Sequence, residues 1–153
     1  MNNRPSQAFV IASWGVLGVG VVGFLIGLWN AEMGIEEKGY YFAVLALGLF
    51  AAVSIQKSVR DRMEKVKVSD LYLGICWAGV VTAVGLLTIG LYNATNINLA
   101  EKGFYGMAFT LCMFSAVTVQ KNVRDTMAYD EANPNTQRIE IVDAKVAKDQ
   151  IYS

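Results

Sequence analysis

The sequence predicts an all-α membrane protein: four transmembrane helices, arranged as two tandem parallel helical-hairpin repeats in a pseudo-twofold bundle. Three observations predict it. Four long stretches lack any charged residue, a set of short motifs occurs twice, and basic residues gather in alternate connections.

Hydrophobic residues make up 54% of the chain and charged residues only 17%, a balance tilted away from that of a soluble domain. Ala8 to Trp29 reads AFVIASWGVLGVGVVGFLIGLW. About 22 residues rising ~1.5 Å each span about 33 Å, enough for a hydrocarbon core near 30 Å. The run is longer than the apolar region of a cleaved signal peptide and ends in Leu28-Trp29-Asn30 rather than in small residues, so it reads as a retained helix. Leu71 to Tyr92, LYLGICWAGVVTAVGLLTIGLY, is a second span of the same kind.

Tyr40 to Ile55 and Phe104 to Val119 are shorter apolar stretches, near the lower limit for crossing a bilayer. Lys38, Lys57, Lys102 and Lys121 flank them, where long cationic side chains can reach the headgroups. Spanning helices are therefore expected over about 8–29, 40–55, 71–92 and 104–119. Trp29, Tyr40, Tyr41, Tyr92, Phe104 and Tyr105 stand at one set of helix ends, as an interfacial aromatic belt requires.

Charge sets the expected orientation. Lys57, Arg60, Arg62, Lys65 and Lys67 occupy the middle connection, Arg4 precedes the first span, and Lys121 and Arg124 follow the last; the other two loops hold one lysine apiece. By the positive-inside rule both termini and the 62–70 linker face the cytoplasm. Residues 1–7 then form a cytoplasmic N-terminus and 126–153 a polar cytoplasmic tail, with a turn at Asn133-Pro134-Asn135 and a weak strand or helix from Arg138 to Ile151. The tail is expected to be poorly ordered alone. Net charge is zero, and no nucleic-acid partner is expected.

The repeat is the most specific feature. Gly27-Leu28-Trp29-Asn30-Ala31 recurs as Gly90-Leu91-Tyr92-Asn93-Ala94, and Glu37-Lys38-Gly39-Tyr40-Tyr41 as Glu101-Lys102-Gly103-Phe104-Tyr105. Gln56-Lys57-Ser58-Val59-Arg60-Asp61 recurs as Gln120-Lys121-Asn122-Val123-Arg124-Asp125, and Trp14 has its counterpart in Trp77. Two copies, over 8–61 and 71–125, each cross the membrane twice and so run parallel, related by an axis along the membrane normal. Lipid supplies little hydrophobic drive between helices, so small residues are expected at their contacts. Gly15, Gly18, Gly20, Gly23 and Gly27 in the first helix, with a Gly23-xxx-Gly27 pair, and Gly74, Ala78, Gly79, Ala83 and Gly90 in the third, are the candidates.

The doubled pattern G-L-[WY]-N-A, E-K-G-[YF]-Y and Q-K-x-V-R-D resembles the YiaA/YiaB family of bacterial inner-membrane proteins, whose unit is a two-helix domain. The resemblance covers about Ala8 to Asp125. It implies a bacterial inner (plasma) membrane location and a two-copy, YiaA-type fold; it implies no chemistry.

Two polar constellations are candidate sites. At the outer end stand Asn30, Glu37 and Lys38 with Asn93, Glu101 and Lys102. Asn suits a helix C-terminus through the left-handed conformation, and Glu complements the start of the next helix. The alternative is a small polar site where the two loops meet. At the inner end stand Gln56, Lys57, Arg60 and Asp61 with Gln120, Lys121, Arg124 and Asp125. Helical spacing lets Asp61 pair with Lys57; the alternative is a docking patch or a contact for anionic headgroups.

The four spans contain no Asp, Glu, Lys, Arg or His, and the chain has no His anywhere. Proton relays and ion-coupled transporters carry intramembrane ionisable residues, and histidine is the commonest metal ligand. Cys76 and Cys112 stand alone and read as small apolar residues. No catalytic group, cofactor or metal is expected, and the chain is not expected to be an enzyme. Two functions remain: a structural or accessory component acting on other inner-membrane proteins through helix and tail contacts, or a small uncharged-solute channel formed by a homo-oligomer within the lipid bilayer.

Overall fold

Each apolar stretch forms a helix because, in lipid, only a helix satisfies every backbone N–H and C=O within one segment. A computed structural model describes residues 4–134 and contains four: α1 (Gln7–Asn30), α2 (Ile35–Met63), α3 (Asp70–Asn93) and α4 (Leu99–Ala132). All four are long and apolar enough to cross a membrane. The Arg138 to Ile151 segment lies outside the described residues.

Helices α2 and α4 exceed the apolar spans read from sequence. With 29 and 34 residues they run for about 44 and 51 Å at ~1.5 Å per residue. The charged motifs after Ile55 and Val119 do not break the helix, since Lys, Arg, Glu and Gln are good helix formers. The polar segment expected to begin at 126 is accordingly still helical as far as Ala132. Arg4 reaches that extension, 3.7 Å from Asp130 Oδ1 and over the Tyr129 ring.

The connection between the repeats is built, not slack. Val66 N–H donates to Asp61 O and Lys65 N–H to Arg62 O, the paired bonds of a Schellman motif. Its left-handed position falls on Lys65, with φ 59°. The Arg62 guanidinium then bonds the Asp70 carboxylate in the first turn of α3, where negative charge complements the helix dipole.

Helix pairing crosses between the repeats. Helix α1 lies along α4 and α3 lies along α2, while α2 and α4 meet in the centre; α1 touches α2 little, and α3 touches α4 least. Each hairpin is therefore open, and its first helix packs on the second helix of the other repeat. The motifs interlock accordingly. A β-carbon added at Gly27 would sit 2.6 Å from Phe104 Cε1, and one at Gly90 would sit 2.7 Å from Tyr40 Cε1. These are the same contact made twice: the glycine of one motif seats the first aromatic of the other, from the opposite repeat. The remaining aromatic of that motif meets its own counterpart, Tyr41 stacking on Tyr105 with ring centroids 6.0 Å apart and planes at 13°.

The helix–helix glycine expected at Gly23 is not one within this chain. A β-carbon there would meet nothing within 4 Å, and the same holds at Gly15, Gly18 and Gly74. Of the five glycines expected in α1, close approach falls to Gly20, whose added β-carbon would lie 2.9 Å from Cys112 Sγ, and to Gly27. In α3, Gly79 and Gly90 make such contacts, and Ala83 is fully buried. The two cysteines are buried free thiols.

One polar pair lies inside the α1·α4 interface: Asn122 Nδ2 donates to Ser13 Oγ at 2.9 Å, both residues buried. The equivalent positions of the other interface are Ser58 and Cys76, buried as well. Interhelical hydrogen bonds in membranes contribute about 0.6 kcal/mol on average and up to ~1.7. Asn122→Ala is expected to lower stability in detergent by an amount of that size, seen as a lower thermal midpoint. Adding Ser13→Ala should then cost little more, because the two share one bond; fully additive losses would deny the bond an energetic role.

Candidate functional site

Five of the six residues of the constellation expected at the outer end close helices; Glu37 does not. Asn30 Nδ2 donates to Ile26 O at 2.8 Å and Asn93 Nδ2 to Ile89 O at 2.9 Å. Neither asparagine adopts the left-handed conformation; among the described non-glycine residues only Lys65 has positive φ. The side-chain amide instead stays over its own helix and the chain leaves through an extended alanine, Ala31 or Ala94. Lys38 Nζ donates to Trp29 O at 2.8 Å, and Lys102 Nζ reaches Tyr92 O at 3.5 Å. Each lysine thus binds the carbonyl end of the helix before it, where the dipole is negative.

Glu101 forms a capping box with Asn98: Glu101 N–H donates to Asn98 Oδ1 at 2.9 Å and Asn98 N–H to Glu101 Oε2 at 2.7 Å. Asn98 was not among the residues singled out from sequence, although Asn-x-x-Glu before an apolar run is the signature of this cap. Glu37 has no such partner, since Gly34 caps α2 without a side chain. It lines a shallow pocket of about 250 Å³ with Glu36, Tyr40, Gly90 and Asn93. The two glutamates of the repeat do not form a joint site. Met33 and Ile97, one from the loop of each hairpin, pack onto the core at this end of the bundle.

The basic end is different, because there the two copies of one motif converge. Helices α2 and α4 cross at the centre, and their Gln, Lys and Arg side chains face a common pocket of about 150 Å³. It is lined by Gln56, Lys57 and Arg60 from one repeat and Gln120, Lys121 and Arg124 from the other, with Val53 as the apolar floor. Four cations and no carboxylate make this lining. The arginines are held by their neighbours: Arg60 Nη2 lies 3.1 Å from Asp61 Oδ1, and Arg124 Nη2 2.8 Å from Asp125 Oδ1. Arg60 Nε also lies 3.7 Å from Glu64 Oε1.

The i,i+4 pairing of Lys57 with Asp61 expected from sequence is replaced by Arg60–Asp61. Because both arginine nitrogens on one edge reach the same carboxylate oxygen, Asp61 is engaged and Lys57 is left over. Lys57 and Lys121 have no hydrogen bond or ion pair among the described residues. What this arrangement can do chemically is hold an anion. Among the described residues no group of three His, Cys, Asp or Glu side chains gathers as a metal site.

The yiaA/B two helix domain matches the chain twice, over residues 9–61 and 72–125. The inner membrane protein YiaA of Escherichia coli strain K12 is 56% identical over 120 residues, 78% of this chain and 82% of that protein. The inner membrane protein YiaB of the same strain is 34% identical over 97 residues, 63% of this chain and 80% of that protein. The uncharacterized membrane protein YubF of Bacillus subtilis strain 168 is 40% identical over 62 residues, 40% of this chain and 71% of that protein. No solved structure matches. With four spanning helices, two copies of the domain and these relatives, the chain is a multi-pass inner-membrane protein and belongs to the YiaA/YiaB two-helix-domain family.

Proposed function

We propose that the protein is a non-enzymatic accessory component of the inner membrane, working through contacts, with its basic end in the cytoplasm. One observation carries this reading. The bundle axis is filled by Tyr41, Tyr105, Phe24 and Phe109, and the spans hold no ionisable side chain of the kinds that drive transport, so the reactive-looking groups lie at the two ends. Of these ends, the outer one spends most of its polar side chains, Glu37 apart, on closing helices, and the basic one keeps two lysines to spare.

The same lysines and arginines support this orientation. Arg4, Lys57, Arg60, Arg62, Lys65, Lys67, Lys121 and Arg124 belong to one end, and Lys38 and Lys102 to the other, a difference that favours retention of the basic end inside. A tag after Ser153, gentle extraction and native mass measurement test the reading. A stoichiometric inner-membrane partner protein is expected. A homo-oligomer without any partner, coupled with solute flux in liposomes, would sink it. That second outcome describes an uncharged-solute channel, and the open faces at Gly15, Gly18 and Gly23 are surfaces on which copies could pack. Its pore would have to run between copies, because the axis within one chain is closed.

A further inference from the structure

We propose that the basic pocket is the headgroup site of a phospholipid bearing two phosphates, with one acyl chain lying in the apolar groove beside it. The inference goes beyond the accessory reading and does not depend on which leaflet the basic end faces.

Depth is the first argument. Gln56 and Gln120 immediately follow the apolar stretches that end at Ile55 and Val119. Lys57, Arg60, Lys121 and Arg124 then lie within about 8 Å of the end of the hydrocarbon, at ~1.5 Å per helical residue. The polar headgroup layer is roughly 5–8 Å thick on each side, so the cations stand at the level of lipid phosphates. Basic pockets between transmembrane helices at this depth recognise phosphorylated headgroups.

Charge and symmetry are the second. The lining provides four positive charges, Lys57, Arg60, Lys121 and Arg124; the arginines are engaged by Asp61, Glu64 and Asp125, and the two lysines have no ion pair among the described residues. Two unpaired lysines match the charge of two phosphodiesters. The pocket is also two-sided, one Gln-Lys-Arg set from each repeat across the pseudo-twofold axis. A headgroup of two phosphates joined through one glycerol matches that division, one phosphate to each set. A single phosphate would leave one lysine without a partner. The arginines, already oriented by their aspartates, present fixed N–H donors, and the lysines act as point charges.

The groove is the third. Because α3 barely touches α4, the two diverge over α2 and leave an apolar trough of about 330 Å³, lined among others by Ile55, Trp77, Met113, Phe114 and Val117. Gln56 lines both the trough and the basic pocket, so a chain attached to a phosphate in the pocket passes directly into it. A soluble anion would use the pocket and have no use for the trough.

The test uses the full-length protein, purified in mild detergent and stripped of lipid, then titrated with cardiolipin or with phosphatidylglycerol and weighed by native mass spectrometry. One cardiolipin per chain is expected, held at least tenfold more tightly than phosphatidylglycerol at equal phosphate. Lys57→Gln with Lys121→Gln should weaken cardiolipin at least tenfold. Cardiolipin with brominated chains, in a Trp14→Phe, Trp29→Phe background, should quench Trp77 fluorescence. Equal retention of the two lipids by the unmutated protein overturns the proposal without reference to any variant. Unchanged binding in the lysine double variant overturns it too. Complete displacement by inorganic pyrophosphate, with Trp77 unquenched, would assign the pocket to a soluble anion and overturn the lipid.

Discussion

Joint replacement of Gly27 and Gly90 by leucine is expected to abolish the folded bundle, whereas Gly23→Leu leaves it standing. A β-carbon alone at Gly27 or Gly90 would come within 2.6 or 2.7 Å of an aromatic carbon, and a leucine adds three more carbons in the same direction. Overpacking a single site costs about 1–3 kcal/mol, and the two sites are equivalent contacts on opposite flanks of the bundle, with no shared partner to relieve the strain. Together they remove several kcal/mol from a stability that in proteins is typically only about 5–15. Membrane levels and detergent melting curves read the result. Phe104→Ala should restore part of what Gly27→Leu loses, since it vacates the ring that the leucine strikes. Equal accumulation of the Gly23 and Gly27/Gly90 variants would show that the interlocking contact has no energetic role.

Cutting the chain in the connection between α2 and α3 tests the crossed pairing itself. The first half would keep α1 and α2, which touch little, and lose α4, along which α1 lies. Its Phe24, fully buried and packed edge-on against Tyr105 at 5.3 Å, would face lipid. Neither half is expected to persist as a monomer. Made together, the two should assemble one to one, with Ser13 meeting Asn122 and Gly27 meeting Phe104 from different polypeptides. A half made alone should be lost, or recovered only as two copies that imitate the missing partner. A stable, monomeric α1–α2 hairpin would contradict the structure outright.

How much of this was legible in the sequence depends on where the signal lies. The four spans were readable because lipid demands length and apolarity, and both are linear properties of the chain. The repeat was readable because the motifs recur almost residue for residue. Helix pairing was not. Helices α1 and α3 are apolar on nearly every side, so no amphipathic face announces the buried one, and Gly23 looks from sequence as good a contact as Gly27. The overhangs of α2 and α4 lie beyond the apolar stretches and carry no hydropathy signal, although the lysines, arginines and glutamates beyond Ile55 are themselves helix formers. Asn30 and Asn93 do not take the left-handed conformation expected at a helix end; each finishes its helix by bonding a carbonyl four residues back. At the basic end Lys57 and Arg60 could be placed on one helix face by counting. That they meet Lys121 and Arg124 required knowing that α2 and α4 cross.

The crossed pairing also sets a timetable for biosynthesis. Helix α1 is the first to leave the ribosome and α4, its main neighbour, is the last. From the end of α1 at Asn30 to the start of α4 at Leu99, elongation at ~5–20 residues per second takes roughly 3–14 s. Throughout that interval the surface around Gly20 and Gly27, shaped to receive Cys112 and Phe104, is bare to the bilayer or to the insertion machinery. Helix α3 has no such wait, because α2 precedes it. The most recently made chains in a cell therefore carry an unpaired first helix, and any condition that slows translation between the repeats lengthens the time for which it can be mispaired or degraded.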